Sequence, residues 1–237
     1  MTSQDQAQKF NIDNKDDTYQ YPSFPSNSFN DNVKFLYNNN PAPYLELLID
    51  APYADMLAEA RSLEPQFVTH REGDSHGWRS LCIHGISANQ TDAANAYGLD
   101  PNDQSIYRWT EIVDQCPVTY NYFKNIFPYV KYQRVRFMLV EPGGYIEPHS
   151  DNINPKLIAA INISLNNPDE CYLTTPLGYV PFKNTGSTFF FNNHYHHCVV
   201  NNSTEPRFHI IVHGQWRSPL FEQIMVNSYQ HAVDAQR

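Results

Sequence analysis

The sequence predicts a mainly β chain with some helix (α+β), in which N-terminal helices pack on a double-stranded β-helix. Aromatic residues make up 14% of the 237 residues and charged residues only 17%, a balance that suits half-buried pleated strands better than salt-bridged helices. Beyond position 131 apolar residues recur with a period of two, which is typical of strands with two different faces. Short strands then follow at close spacing, as in a sandwich, barrel or jelly roll. Among these we favour the cupin-like jelly roll.

Four segments are expected, together forming one structural domain. Residues 1–40 are rich in Asn, Asp, Gln and Ser and offer little apolar surface, so they are predicted to be a polar tail or arm. Residues 41–130 are expected to be a helical and mixed N-terminal part. Residues 131–220 would form the double-stranded β-helix core, and residues 221–237 a C-terminal tail.

Helices are expected mainly in the second segment. Residues 44–48 and 53–63 carry helical spacing and good helix formers. A further helix is predicted over 117–127, because Pro117 is tolerated in a first helical turn. Residues 77–83 between these helices are predicted to form a strand.

The strands of the core are predicted from alternation and from turn residues. Val135, Phe137 and Leu139 occupy one face of the first strand, and the residues between them occupy the other. A turn is expected at 142–144. Further strands are predicted at 145–151, 157–165, 171–175, 179–182, 188–191, 196–200 and 207–214.

Charge and composition exclude several classes of partner. Sixteen Lys and Arg against 25 Asp and Glu give a net charge of −9, which argues against binding to nucleic acid or to an anionic membrane. The sequence contains no run of 18 apolar residues, so no membrane span is predicted. The first ten residues lack the apolar region of a signal peptide. The four cysteines are scattered and are expected to be reduced thiols, so a cytoplasmic location is predicted. No oligomeric state is predicted.

The most informative local pattern is His149-Ser-Asp151. Residues i and i+2 of an extended strand point to one face, so His149 and Asp151 can present a nitrogen and an oxygen to one ion. A distant histidine would complete a two-His-one-carboxylate facial triad, which leaves positions open on Fe(II) for a co-substrate and oxygen. The alternative is a surface turn after a proline, since so short a pattern often arises by chance.

The distal ligand has three candidates, His194, His196 and His197. Strand alternation places His194 and His196 on one face and His197 on the other. Arg207 follows His197 after a turn over 202–206, and a hairpin would bring it beside the strand of His197. Its guanidinium suits a carboxylate, so Arg207 is expected to hold the distal carboxylate of a dicarboxylic co-substrate.

Several motifs follow one another in a characteristic order. They are Arg134-Val-Arg136, Leu139-Val-Glu-Pro142-Gly143, Ile146, His149-Ser-Asp151, His197-Cys-Val-Val-Asn201 and Glu205-Pro206-Arg207. This combination resembles the aspartyl/asparaginyl β-hydroxylase family of Fe(II)- and 2-oxoglutarate-dependent oxygenases, from about Gly77 to Trp216. The resemblance implies a dioxygenase that consumes 2-oxoglutarate and O2, releases succinate and CO2, and hydroxylates an unactivated C–H bond of an amino acid or an Asp- or Asn-type residue.

The resemblance also implies roles for single residues. The family's proximal and distal iron histidines fall on His149 and His197. Its 2-oxoglutarate-binding arginine falls on Arg207. The best-known animal members have glycine two residues after the proximal histidine, whereas this chain has Asp151, as several bacterial relatives do, among them free amino-acid hydroxylases. A complete catalytic and metal-binding triad is therefore expected, and the animal enzymes' protein substrate is not carried over directly.

Three more residues are expected beside the co-substrate. Asn162 falls where family members place a polar residue near the 2-oxoglutarate carboxylate. Met138 and Val140 fall on the strand that walls the same pocket.

The substrate-binding residues are open to more than one interpretation. Arg134 and Arg136 either line the mouth of the site and hold a substrate carboxylate, or face solvent on their strand. His209 shares the face of Arg207 by alternation, which makes it a candidate pocket residue. The substrate class itself stays open between a protein Asp or Asn side chain, a free amino acid and a small peptide, with a lean towards a carboxylate.

A competing hypothesis is a cupin-like metal protein, either a binding module or an isomerase, that holds Zn or Mn through His149, Asp151 and His197. Ligand types alone do not determine the metal. Arg207 separates the two hypotheses, because a simple metal-binding module has no need of a buried carboxylate clamp.

Overall fold

A curled antiparallel sheet with helices packed on its outer face forms the protein. The computed structural model describes residues 19–38, 42–71, 73, 75–151, 160–182, 186–215 and 218–237. In these ranges the strands are β1 (Tyr44–Leu47), β2 (Val68–Thr69), β3 (Ser75–Gly85), β4 (Arg108–Trp109), β5 (Lys131–His149), β6 (Ala160–Ser164), β7 (Cys171–Thr175), β8 (Gly178–Tyr179), β9 (Thr188–Phe191), β10 (His197–Asn201) and β11 (Arg207–Gln215). The helices are α1 (Phe29–Asn38), α2 (Tyr53–Leu63), α3 (Pro117–Asn125) and α4 (Pro219–Asp234).

The sheet is organised around β5, its longest strand. Its strand order is β1-β9-β6-β11-β5-β10-β7-β8, with β3 also paired to β5 and with β2 and β4 paired to β3. The first half of β5 pairs with β11, and its second half pairs with β10. One long strand thus lies along two consecutive strands that run back beside it, and the rolling of this hairpin-like unit makes a jelly roll. The predicted fold class is confirmed.

The bend in β5 lies at residues 142–144. Gly143 has φ +71°, in the left-handed region that favours glycine. A Cβ on Gly144 would lie 2.7 Å from the Glu141 carbonyl oxygen and 2.8 Å from that of His76. Glycine is therefore required where the backbone of β3 approaches this bend.

Asn201 fastens the bend to the loop that precedes β11. Its Nδ2 donates to the carbonyl oxygens of Val140 (3.0 Å), Glu141 (3.2 Å) and Glu205 (2.8 Å), while its Oδ1 accepts from the Ser203 hydroxyl (2.6 Å). The side chain is fully buried. These bonds hold the start of β11 in place against β5.

The two faces of β5 belong to two different cores, as the alternation predicts. Val135, Phe137 and Leu139 lie in the larger apolar cluster, which the helices share. Met138 and Val140 lie in a second cluster. Their face of β5 also carries Arg134 and Arg136 by strand alternation, and this is the face of the cavity described below.

Two predicted elements differ in the structure. Residues 44–48 were expected to be helical, but β1 covers 44–47 and pairs with β9, because its aromatic and leucine side chains pack in a sheet. The predicted C-terminal tail over 221–237 is mostly helix α4. Phe221, Met225, Tyr229 and Val233 are buried at a spacing of four residues, which is an amphipathic pattern that the sequence analysis overlooked.

The predicted segments are interleaved in space. Strands β1 and β3, from the segment 41–130, pair with β9 and β5 of the core, so both segments share one sheet. Within the predicted polar tail, residues 29–38 form α1, which buries Val33 and Leu36. Residues 1–18 and 39–40, the start of the predicted strand 157–165, and Trp216 lie outside the described residues.

The sequence predicts reduced cysteines and no membrane span, and the structure describes both the thiols and the helices concerned. All four cysteines are buried free thiols. No helix in the described ranges combines the length and apolar character needed to span a bilayer.

The contacts of Asn201 lead to a stability prediction. We expect Asn201→Ala to lower the free energy of unfolding by about 3 kcal/mol, because the buried carbonyl oxygens lose their shared donor. Urea unfolding of both proteins measures the difference. Asn202→Ala is the matched control, since the Oδ1 of Asn202 has no partner among the described residues, and it should cost less than about 1 kcal/mol. Equal costs for the two variants would contradict the fastening role.

Candidate metal centre

Three potential metal ligands converge at the paired ends of two strands. His149 ends β5 and His197 begins β10, and the two residues are direct register partners. Asp151 follows β5 by two residues, and its backbone N–H donates to the Asn193 carbonyl oxygen at 3.0 Å. One ligand atom from each side chain lies within 4.8 Å of the others, and in the described part of the chain this is the one group of its kind.

Both imidazoles present the Nε2 atom to the shared space. The Nδ1 of His149 donates to the Glu147 carbonyl oxygen at 2.8 Å, and the Nδ1 of His197 donates to that of Tyr195 at 3.0 Å. Since a carbonyl oxygen only accepts, each Nδ1 carries a proton, and in the neutral form of the ring each Nε2 then keeps its lone pair. This is the tautomer of a histidine metal ligand whose second nitrogen is held by a backbone carbonyl.

The carboxylate lies between the two rings. Asp151 Oδ1 is 3.6 Å from His149 Nε2, and its Oδ2 is 3.7 Å from His197 Nε2. Burial, with a smaller contribution from the neighbouring His149, lowers the pKa of His197 to about 4, so His197 is neutral at neutral pH. Two imidazoles and one carboxylate form a donor set that fits Fe(II).

Arg71 binds the carboxylate and was not found by the sequence analysis. Its Nη1 donates to Asp151 Oδ1 at 3.0 Å, its Nε contacts Asp92 Oδ1 at 3.4 Å, and its guanidinium lies 5.8 Å from the Trp78 ring centre. Burial alone would raise the pKa of Asp151, but His197, Arg71 and His149 together hold it below its usual value. Arg71 lies 80 residues before Asp151, and no local motif links them.

A cavity of about 240 Å³ opens beside the three ligands. Aromatic, aliphatic and cationic side chains form its wall. Besides the ligands, the lining residues are His70, Arg71, Trp78, Ala93, Arg134, Arg136, Ile146, Ala160, Asn162, Leu173, Phe191, Asn193, Val199, Arg207, His209, Ile211 and His213.

Arg207 is a buried cation that has no anionic partner among the described residues. It begins β11 opposite Val140 and is only 1% exposed. Its guanidinium carbon lies 4.8 Å from the Phe182 ring centre, but neither Nη1 nor Nη2 has a hydrogen-bond partner among the described residues. Burying such a group without a partner is costly. The arrangement fits a site that is completed by a ligand carboxylate.

The other residues singled out in the sequence fall into two groups. Asn162, Arg134, Arg136 and His209 all line the cavity. The solvent-facing interpretation is wrong for Arg136, which is 4% exposed. Met138 and Val140 are fully buried in the second apolar cluster and do not belong to the cavity lining.

Of the three candidates for the distal ligand, the structure brings one to His149 and Asp151. His197 does so through strand pairing. His196 is exposed before β10. His194 lies in the preceding turn, where its N–H donates to Asn192 Oδ1.

Comparisons with known proteins were made for the sequence and for the fold. The family model for aspartyl/asparaginyl beta-hydroxylase matches residues 48–216. No curated protein matches the sequence.

Among solved structures, a Pseudomonas putida prolyl-4-hydroxylase is 14% identical, with 81% of this chain and 100% of that chain covered and a TM-score of 0.44. A 2OG-Fe(II) oxygenase family oxidoreductase from Burkholderia pseudomallei is 13% identical, with 83% and 94% covered and a TM-score of 0.44. The viral collagen prolyl hydroxylase of Paramecium Bursaria Chlorella virus-1, in its 2OG complex, is 15% identical, with 73% and 96% covered and a TM-score of 0.38.

The unpaired state of Arg207 leads to a counter-intuitive stability prediction. We expect Arg207→Met to raise the unfolding free energy of the ligand-free protein by about 1 kcal/mol, because an apolar side chain replaces a buried, unpaired charge. Urea unfolding without added ligand measures the change.

Arg136→Met is the matched control. The Nη1 of Arg136 donates to the Thr91 carbonyl oxygen at 2.6 Å, so its loss should lower the unfolding free energy by about 2 kcal/mol. A marked loss of stability in Arg207→Met would show that Arg207 serves the ligand-free fold instead.

Proposed function

This chain belongs to the aspartyl/asparaginyl β-hydroxylase family, hydroxylases of the 2-oxoglutarate/Fe(II) oxygenase type, and we propose that it hydroxylates an unactivated C–H bond of an amino acid or of an Asp- or Asn-type residue. In this reaction 2-oxoglutarate and O2 would be consumed, and succinate and CO2 released. One observation carries the proposal: a two-His-one-carboxylate group and a buried, unpaired arginine line the same cavity.

We propose that His149, Asp151 and His197 hold the iron. The two Nε2 atoms and one carboxylate oxygen would occupy three positions and leave three for other ligands. Bound Fe(II) would supply the oxygen-activating chemistry. The backbone carbonyls that bind the two Nδ1 atoms orient the rings, and Arg71 orients the carboxylate through its bond to Asp151 Oδ1.

Arg207 is proposed to bind the C5 carboxylate of 2-oxoglutarate. Its two free Nη groups can donate in parallel to one carboxylate, which gives a charge-assisted pair in a site shielded from water. Asn162 would supply a further polar contact. Met138 and Val140 would contribute indirectly, because they pack in the second apolar cluster, which supports the wall of the cavity.

The place of action is proposed to be the cytoplasm. The four buried, unpaired thiols are typical of a reducing compartment.

The ligand assignment is tested by anaerobic titration of the metal-free protein with Fe(II) and 2-oxoglutarate. The wild-type protein should develop the visible metal-to-ligand charge-transfer band of the chelate and bind about one iron per chain. His149→Ala and His197→Ala should each lose both, because two protein ligands hold a divalent ion far less tightly than three. His196→Ala is the matched control and should behave as wild type. Normal iron binding in either ligand variant would remove that residue from the centre.

The role of Arg207 predicts a different outcome in the same titration. Arg207→Gln should keep iron binding but raise the 2-oxoglutarate concentration for half-maximal band formation by about 30-fold or more, since the loss of one partner of a buried charge pair costs at least about 2 kcal/mol. Iron binding without a band in the wild-type protein would instead favour the cupin-like metal protein.

A further inference from the structure

A second group of cationic and imidazole side chains, each with one unpartnered nitrogen, lies in the cavity apart from Arg207. Arg134 Nη1, Arg136 Nε and His213 Nδ1 are enclosed by the protein, and none has a hydrogen-bond partner in the described part of the chain. All three residues line the cavity. His209, which also lines it and has an unpartnered Nδ1, lies between this group and Arg207 along β11.

The register of β5 and β11 separates the two groups. His213 is paired with Arg134, and Arg207 with Val140. Six residues along each strand correspond to about 20 Å. A single carboxylate held by Arg207 therefore does not reach His213, so the second group is left for another molecule.

The charges around the second group call for an anion. In the described part of the chain, the carboxylate that acts on Arg134 is Asp92, which is already paired with Arg71. Among the described residues, the charged or ionisable side chains that act on His213 are Arg134, Arg136, Arg71 and His70, and none of them is a carboxylate.

The protonation states allow hydrogen bonding to such an anion. Burial lowers the pKa of Arg136 to about 9, with a contribution from Arg134, so Arg136 is still charged at neutral pH. Burial also keeps His213 neutral, and one of its ring nitrogens can therefore donate while the other accepts.

The size of the cavity limits what else it can hold. Its volume of about 240 Å³ is below the roughly 300–1,000 Å³ of pockets for drug-sized ligands. Part of this volume is assigned to 2-oxoglutarate in the proposed function. The remainder suits a molecule of a few heavy atoms.

We propose that Arg134 and His213, with Arg136 beside them, form a subsite for a carboxylate of the substrate, and that the substrate is a small carboxylic acid such as a free amino acid. The proposal rests on the proposed function and deepens it. Arg134 supplies an unpartnered guanidinium Nη1, and His213 supplies a neutral donor on the neighbouring strand. A peptide-bound Asp or Asn residue would instead bring its backbone into the same small space.

The subsite is tested with acetate and with its neutral isostere acetamide. Saturation-transfer NMR is recorded on the full-length protein loaded with Zn(II) and saturating 2-oxoglutarate, which occupies Arg207. The methyl signal of acetate should show transfer, and that of acetamide should show at least fivefold less. Arg134→Gln and His213→Phe should reduce acetate transfer at least fivefold, whereas Arg108→Gln, at an exposed arginine, should leave it unchanged.

Several results would overturn the subsite. These are no acetate transfer in the wild-type protein, equal transfer from acetamide, or unchanged transfer in Arg134→Gln. Thermal melting checks that each variant is folded. If Arg134→Gln fails to fold, Arg134→Lys keeps the charge and should show weakened but measurable transfer. Repeating the measurement without Zn(II) and 2-oxoglutarate tests the subsite even if the charge-transfer experiment rejects the proposed function.

The substrate class is tested by 2-oxoglutarate consumption with the iron-loaded protein. Free L-amino acids are compared with their carboxamides and with N-acetyl-aspartyl and N-acetyl-asparaginyl amides. At least one free acid should stimulate consumption at least tenfold more than its amide. Stimulation by the blocked residues alone, or by no free acid, would overturn the substrate class.

Discussion

The register between β5 and the two strands that run beside it is the constraint on which the rest of the structure depends. Pairing of His149 with His197 brings the two imidazoles together, and pairing of Val140 with Arg207 sets the guanidinium beyond the bend. Because strand side chains alternate between faces, a register shift of a single residue would move each of these side chains to the other face of the sheet. The glycines at 143 and 144 and the side chain of Asn201 fix the position of the two halves of β5 relative to each other.

Buried polar groups are distributed unevenly in this protein. Around the bend, Asn201 makes hydrogen bonds through both of its side-chain ends, as buried polar groups in a stable core do. In the cavity, by contrast, Arg207, His209 and His213 keep unpaired nitrogens. Among the described residues, every buried side-chain nitrogen without a hydrogen-bond partner belongs to a residue that lines the cavity. This contrast links stability to function, since the same groups that weaken the empty protein would strengthen the loaded one.

Much of the site can be predicted from the sequence, because its parts lie in short motifs on strands. His149 and Asp151 are two residues apart, and the hairpin from His197 to Arg207 is local. Alternation alone indicated that Val135, Phe137 and Leu139 share a face. Arg71 could not be found in this way, since its contact with Asp151 depends on how a distant loop packs. Tyr44–Leu47 was misassigned because so short and mainly apolar a segment suits a helix or a strand equally, and pairing with β9 decides between them. The period of four in α4 was present in the sequence and was overlooked.

The pairing of His149 with His197 has a consequence for dynamics. Strand ends fray more readily than strand centres, and this centre is built on the end of β5 and the start of β10. An ion that binds only the paired arrangement would connect the two strand ends. It would stabilise their pairing by a free energy that increases with the affinity of the ion. Opening of that one end would release the ion while the rest of the barrel stays folded. Metal exchange would thereby be coupled to a local event of a few residues and would not depend on the global stability of the protein.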